Sequence, residues 1–229
     1  MDHSRRIIRR RLTLLTAVGV LLAGGVASAL LAATAQASTC TAGGAACALT
    51  GTLTLGAGTL NLTTSSSLSW TSAATGADLL LVDPTAVDET YTVVDATGSG
   101  AGWHVTVSAT TFTATGPVTL ANTGVFSTNG SLTSITAAAY PTAACSTGST
   151  CTVPTHTTTP TTFPVAITTA ASAPTAFVIY DANAATGTGS IAVGGSTAAN
   201  PVGWWLNVPG NTKAGTYTST IAMAVVTAP

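Results

Sequence analysis

The sequence predicts an all-β protein, either a two-sheet β-sandwich or a jelly-roll-like barrel of short antiparallel strands. Short runs in which apolar and polar residues alternate recur along the chain, separated by Gly, Ser, Asn or Pro. Beyond the N-terminal 37 residues no run has a helical period, apart from one helix-like turn at Ile135–Tyr140. Only 6% of the residues are charged, but Leu, Val, Ile and aromatic residues recur in alternation, which favours a folded core over disorder.

The predicted strands follow one another at short intervals. They are Leu49–Leu55, Thr59–Thr63, Ser67–Thr71, Asp78–Val82, Glu89–Asp95, Trp103–Val107, Val118–Leu120, Ser131–Ile135, Phe163–Ile167, Ala176–Tyr180, Ser190–Val193, Trp204–Val208 and a terminal run from Tyr217. Successive side chains of a strand point to opposite sides. Tyr217, Ser219, Ile221, Met223 and Val225 therefore share one face of the terminal run, which is expected to close the sandwich.

The N-terminal residues have the features of a secretory signal peptide. Five arginines in MDHSRRIIRRR precede an apolar run over 12–31, and AQA then offers a cleavage point after Ala37. The apolar run is long enough to span a bilayer, so an uncleaved membrane anchor is the alternative. The arginine pair in SRRII is compatible with twin-arginine export as well as with general secretion, so the export route is left open. The sequence thus predicts a signal peptide over 1–37 and a single exported domain over 38–229.

The charge balance of the exported part excludes several classes of partner. After cleavage at Ala37, Lys213 is the one basic residue left beside six acidic residues. Such a chain cannot neutralise phosphates, so neither nucleic acid nor an anionic membrane surface is an expected partner. Recognition of a polymer would have to depend on stacking and hydrogen bonds.

The four cysteines all lie beyond the predicted signal peptide. An even number in an exported chain favours disulfides over metal binding or catalysis. Among the three possible connectivities we favour the two local pairs, Cys40 with Cys47 and Cys145 with Cys151, each closing a short loop of small residues. Lipidation of Cys40 is the alternative, but the preceding AST lacks the large apolar residue that a lipidation site needs.

Residues 141–162 form the one low-complexity stretch, PTAACSTGSTCTVPTHTTTPTT. The sequence that follows is too short to fold separately, so we expect a long surface loop stapled by Cys145 and Cys151 rather than a linker. Threonines near prolines in an exported chain also make this stretch a site for O-glycosylation.

The sequence holds no recognisable catalytic or metal-binding constellation. Only His104 and His156 remain after signal cleavage, and no G-x-S-x-G elbow is present. His104 alternates with Trp103 and is expected to point away from the face that Trp103 occupies. The acidic stretches DPTAVDE, over 83–89, and DANAATGTG, over 181–189, contain oxygen ligands for calcium but are more typical of turns. We therefore predict no enzyme, no metal site, no cofactor and no soluble small-molecule substrate.

Aromatic side chains are the remaining candidates for binding. Trp103, Trp204 and Trp205 lie in the similar strands GWHVTV and GWWLNVP, and the adjacent pair must face opposite sides of its strand. One member of the pair is expected in the core, while the other must find a second layer, a loop or a ligand. An exposed tryptophan on a nearly uncharged surface is a platform for a sugar ring or another subunit. The candidate contacts are Trp103, Trp204, Trp205 and Tyr217.

Two segments carry a resemblance to a known family. GAGWHVTV has a W-x-L-like triplet in which Val105 stands in place of leucine. The C-terminal segment follows Y-x-x-x-[LI]-T-W-x-L-x-x-A-P, here with Tyr217, Ile221, Ala222, Met223, Val225, Ala228 and Pro229. Over roughly 49–229 the chain resembles the WxL domain of Gram-positive surface proteins. Ala222 and Met223 replace the Thr-Trp pair of that family, and the triplet formed by Trp204, Trp205 and Leu206 is itself of W-x-L type.

The resemblance implies a noncatalytic, β-rich module that attaches noncovalently to the cell wall through peptidoglycan. The expected protein is secreted and held at the cell wall or cell surface, with wall glycan or another surface protein as its partner, and with membrane contact only if the signal is uncleaved. The alternative function is a structural subunit that assembles into a surface layer or fibre through its edge strands.

Overall fold

The computed structural model describes residues 51–116, 118–156 and 162–227. From Thr54 onward the chain forms one compact unit, and residues 51–53 belong to a separate N-terminal unit. The predicted signal peptide, the Cys40–Cys47 pair and the motif residues Ala228 and Pro229 lie outside the described residues. The boundary at residue 37 and the single exported domain therefore stay predictions. Within the described ranges no helix is long and apolar enough to cross a membrane.

The described chain is all-β, which confirms the predicted fold class. Thirteen strands are present in it: β1 (Leu60–Thr63), β2 (Leu79–Val82), β3 (Thr90–Asp95), β4 (Trp103–Ala109), β5 (Thr113–Ala114), β6 (Val118–Thr119), β7 (Phe126–Asn129), β8 (Ala143–Cys145), β9 (Val165–Ile167), β10 (Phe177–Ala182), β11 (Gly189–Gly194), β12 (Gly203–Val208) and β13 (Ile221–Thr227).

The strands pair antiparallel in four sheets. Their orders are β1-β3-β11-β8, β10-β4-β13, β2-β12-β7-β9 and β5-β6. This arrangement of open sheets around a shared apolar core is consistent with the predicted sandwich.

The core is built by alternation, as the sequence predicts. In β4 every second residue from Trp103 to Ala109 is buried, while His104, Thr106 and Ser108 are partly exposed. Val93 of β3 and Ile191 of β11 are fully buried in the same cluster. Full burial of an aliphatic side chain stabilises the fold by about 1.5–3 kcal/mol, so these alternating positions hold the sheets together.

Three predicted strands are wrong. Residues 51–55, Ser67–Thr71 and Ser131–Ile135 lie outside the strands, and the run from Ile135 to Tyr140 contains no helical turn. At Ser67–Thr71 the backbone NH of Ser69 donates to the Asp83 carboxylate. At Ser131–Ile135 the Asn129 amide donates to the backbone carbonyl of Ile135 at 2.9 Å. Such side-chain bonds compete with a ladder and hold both segments as loops.

The described part of the Thr- and Pro-rich stretch includes a strand, where the sequence predicted a surface loop. β8 pairs with β11, placing Cys145 opposite Ile191. The predicted disulfide between Cys145 and Cys151 is confirmed, with 5.4 Å between the two Cα atoms. Residues 157–161 of this stretch lie outside the described residues.

Candidate functional site

The two segments that carry the C-terminal and W-x-L-like motifs are neighbours in one sheet. β13 pairs with β4 so that Thr227 lies opposite Trp103, Val225 opposite Val105 and Met223 opposite Val107. β4 is the central strand of this sheet and β13 is an edge strand. The motif therefore describes a single pair of strands that the fold brings together.

Trp103 is a core residue. Its exposed fraction is 0%, and its indole NH donates to the backbone carbonyl of Gly187 at 2.8 Å. Its ring stacks on that of Tyr180, with 6.1 Å between centroids. The residue thus fixes the approach of the Gly187 turn to β4.

Trp204 and Trp205 are also buried, on opposite sides of β12. Trp204 stacks on Phe126 at 5.8 Å between ring centroids, and its indole NH donates to the backbone carbonyl of Asp88 at 2.9 Å. The indole NH of Trp205 donates to the side-chain oxygen of Asn129 at 2.8 Å. Trp204 belongs to the main core, whereas Trp205 is covered by the chain around Asn129.

These positions correct the expectation of an exposed tryptophan platform. Trp103, Trp204 and Trp205 are at most 5% exposed, so none of them offers a ring face at the surface. Each indole NH has an oxygen partner inside the fold, which allows the whole side chain to be buried. Of the four candidate contacts, Tyr217 alone is partly exposed.

A groove of about 740 Å³ opens beside Tyr217. Its walls are the segments 64–77 and 209–219, and Ile221 and Met223 of β13 also line it. Hydroxyl side chains dominate the lining: Thr64, Ser65, Ser66, Ser67, Ser69, Thr71, Ser72, Thr75, Thr212, Thr216, Thr218 and Ser219. Three aromatic residues, Trp70, Phe112 and Tyr217, complete it together with aliphatic side chains.

Two aromatic rings are held in fixed positions in this groove. The Tyr217 hydroxyl donates to the backbone carbonyl of Lys213 at 2.9 Å. The indole NH of Trp70 donates to the carbonyl of Trp204 at 3.1 Å, and its ring meets that of Phe112 edge to face at 6.1 Å. Sequence reasoning missed Trp70, which it treated only as part of a strand. The signal in the sequence that could have identified Trp70 as a binding residue was its position within a serine-rich run.

Met223 lies at the border between the core and the groove. It packs against the core cluster, and its sulfur accepts a hydrogen bond from the Thr64 hydroxyl at 3.4 Å. The position that carries tryptophan in the resembling family thus contributes here to the groove wall, with an adaptable apolar side chain.

The groove is almost free of charge. Among the described residues of its lining, Lys213 alone is charged, and none of them is Asp, Glu, His or Cys. Hydroxyl groups offer donors and acceptors, while aromatic faces offer stacking surface. This chemistry suits a neutral polyhydroxylated ligand.

His104, His156 and Asp181 do not line the groove. His156 Nδ1 lies 3.0 Å from Asp181 Oδ1, and the His156 ring stacks on Tyr140 at 3.9 Å. Burial raises the pKa of Asp181, while the hydrogen bond and charge of His156 lower it. This contact ties the Thr- and Pro-rich stretch to β10. In the described part of the chain no three His, Cys, Asp or Glu side chains group to hold a metal ion.

Comparison with known families gives one match. The family model described as "WxL domain surface cell wall-binding" matches residues 51–229, which include β4, β13 and the whole groove. No curated protein and no solved structure matches the chain.

Proposed function

The chain belongs to the WxL family of surface cell wall-binding domains, and on that basis we propose that it is an exported, noncatalytic protein that binds peptidoglycan glycan in the groove beside β13. It is a cell-surface protein associated with the wall, as its family is. The glycan, the groove as its site and the absence of catalysis are our proposal.

One observation carries the choice of site. Tyr217, Ile221 and Met223, three residues of the C-terminal motif, all line the groove. The tryptophans of the first half of the motif and of β12 are buried instead. Among the positions on which the resemblance depends, these three therefore line a cavity that a ligand can enter.

The chemistry of the groove supports a glycan. Sugar rings present hydroxyl groups around an apolar face, and the groove offers twelve Ser and Thr side chains together with the Tyr217 ring. The Tyr217 hydroxyl is already bonded to the Lys213 carbonyl, which orients the ring before a ligand arrives. Prior ordering lowers the entropic cost of binding.

A noncatalytic role fits the composition of the groove lining. Glycan hydrolysis ordinarily uses a pair of carboxyl groups across the scissile bond, and the described residues of the lining include neither Asp nor Glu. The His156–Asp181 contact lies away from the groove and is stacked on Tyr140.

Sedimentation of the secreted protein with purified peptidoglycan tests this function. We expect retention of the wild type, a severalfold loss for Tyr217→Ala, and no loss for Val153→Ala, which truncates an exposed side chain outside the groove. Retention no greater than that of an unrelated secreted protein of equal size would refute wall binding. Equal retention of both variants would refute the groove as the site.

A second candidate function rests on the position of β13. This strand is at the edge of its sheet, and no described strand bonds to its outer side. The backbone groups along this edge that pair with no described strand are a template for adding a strand from another copy or another surface protein. Size-exclusion chromatography at two concentrations separates the functions, because a concentration-independent monomer excludes self-assembly.

A further inference from the structure

We propose that the turn between β2 and β3 binds one calcium ion between the carboxylates of Asp83 and Asp88. The two carboxylates lie behind the groove wall, because Asp83 and Asp88 do not line the groove whereas their neighbour Ser65 does.

Both residues are fixed by the backbone around them. The Asp83 NH donates to the carbonyl of Trp204 at 2.9 Å, and the Trp204 indole NH donates to the carbonyl of Asp88 at 2.9 Å. The Asp88 NH donates to the carbonyl of Thr85 at 2.8 Å and closes the turn. The two carboxylates are therefore held on one short, anchored segment.

The Asp83 carboxylate is buried and bonded on both oxygens. It is 1% exposed, Oδ1 accepts from the NH of Thr85 at 2.9 Å, and Oδ2 accepts from the NH of Ser69. Asp83 therefore presents a buried carboxylate that two backbone NH groups hold in place.

The Asp88 carboxylate is also buried, but one of its two oxygens is unpaired. Asp88 is 5% exposed, and its Oδ1 has no hydrogen-bond partner. Burial raises the pKa of the Asp88 carboxyl, a hydrogen bond with Ser65 lowers it, and both the charge of Asp83 and a hydrogen bond with the Asp83 side chain raise it. The two carboxyl groups are therefore in contact, and the free Oδ1 of Asp88 is a place where a bound ion completes the bonding.

No side chain in the described ranges forms an ion pair with Asp83 or Asp88. Lys213 is the one Lys or Arg beyond residue 11. Across the described residues, the recorded ion pair joins His156 to Asp181 and leaves Asp83 and Asp88 without a cation. Two carboxylates and the hydroxyls of Ser65 and Thr85 form an all-oxygen environment, which suits a hard cation such as Ca²⁺.

Two carboxylates are few for a calcium site, so water and backbone carbonyls must complete the coordination. Extracellular calcium modules bind with dissociation constants of about 10⁻⁴–10⁻³ M, and we expect this weak range here. The ion would also stiffen one wall of the groove, because Ser65 and Ser69 both line it.

Terbium luminescence on the unmodified secreted protein tests the site directly. Tb³⁺ replaces Ca²⁺ at oxygen sites, and Trp204, bonded to the Asp88 carbonyl, is placed to sensitise it. We expect saturable emission on excitation of tryptophan that millimolar Ca²⁺ displaces. We also expect Ca²⁺ to raise the melting temperature of protein stripped with chelator, and Mg²⁺ to do so less.

Two variants check the location. Asp88→Asn is expected to lose both the emission and the calcium-dependent rise in melting temperature. Asp78→Asn, which changes an exposed acid bonded to the NH of Gly210, is expected to keep both. The proposal is overturned if the wild type gives no displaceable emission and no calcium response. A proton shared by the Asp83 and Asp88 carboxyl groups would then explain why both are buried. In that case Asp88→Asn is expected to be as stable as the wild type at neutral pH.

Discussion

Val105 of β4 lies directly opposite Val225 of β13, so the two motif segments, far apart in sequence, form one pair of adjacent strands. Every second residue of β4 in this pair is buried, whereas the residues of β13 are half-buried or exposed and this strand borders the groove. The W-x-L-like half of the motif therefore builds the core, and the C-terminal half forms the wall of the proposed site.

Replacing Trp103 tests its role as a core residue. Trp103→Ala is expected to destabilise the fold by about 3–5 kcal/mol, because it removes a large, fully buried ring. Trp103→Phe should cost about 1–3 kcal/mol, since the Gly187 carbonyl then loses its donor. Urea unfolding measures both values, and a Trp103→Phe protein as stable as the wild type would contradict the assignment.

The close approach of Gly187 to Trp103 gives a second prediction. A Cβ added at Gly187 would lie 2.5 Å from the Ala182 Cβ and 2.7 Å from Trp103 Nε1. Gly76 is a matched control, because it has a similar positive φ of 81° against 67° and nothing within 4 Å of the added atom. Gly187→Ala should lose about 1–3 kcal/mol more stability than Gly76→Ala. Equal losses in thermal unfolding would show that no clash exists.

The Cys145–Cys151 disulfide closes a short loop, with a sequence separation of 6. Loop-closure entropy predicts that Cys145→Ser with Cys151→Ser lowers the free energy of unfolding by roughly 2 kcal/mol. Chemical denaturation under non-reducing conditions measures it. An unchanged stability would mean that the β8–β11 pairing alone orders this stretch.

Asp181 gives a prediction of pH dependence. Burial raises its pKa above the ordinary 3.8, so the folded protein binds this proton more tightly than the unfolded chain. Its contribution to stability is complete below pH 3.8 and is lost as the pH rises through the folded pKa. The stability of the wild type relative to Asp181→Asn should therefore increase on acidification from about pH 7 to about pH 4. Urea unfolding at several pH values tests this. A relative stability that decreases on acidification would mean that folding lowers the pKa of Asp181.

Met223 allows a gain-of-function test. Met223→Trp restores the residue type that the family carries at this position and adds an aromatic face to the groove wall. Aromatic contacts are worth about 0.5–1.5 kcal/mol, so retention on peptidoglycan should rise about 2- to 10-fold. Circular dichroism confirms that the variant folds. Unchanged retention by a folded variant would place this side chain outside the ligand contact.

Alternation was enough to predict most strands but not the site. It placed His104 on the outer side of β4 correctly, because β4 is buried on one face. It missed β7, whose residues Phe126–Asn129 are all buried and show no period. It also treated Ser67–Thr71 as a strand, whereas long-range bonds to Asp83 and Trp204 hold that segment as a groove wall.

The burial of the tryptophans could not be read from the sequence for a related reason. Whether Trp205 is exposed depends on Asn129, which is far away along the chain and supplies the oxygen that its indole NH needs. Local patterns specify which side of a strand a ring takes, but distant segments decide whether that side is covered.

Protection of Lys213 from amine modification is the most direct test of the central claim that glycan occupies the groove. Lys213 lines the groove and is the one lysine in the chain, so its acetylation reports on this site. The N-terminal amine serves as an internal reference, and Lys213→Arg identifies its signal. We predict that peptidoglycan slows acetylation of Lys213 severalfold relative to the reference. Unchanged acetylation of Lys213 in protein that is demonstrably bound to peptidoglycan would place the glycan outside the groove.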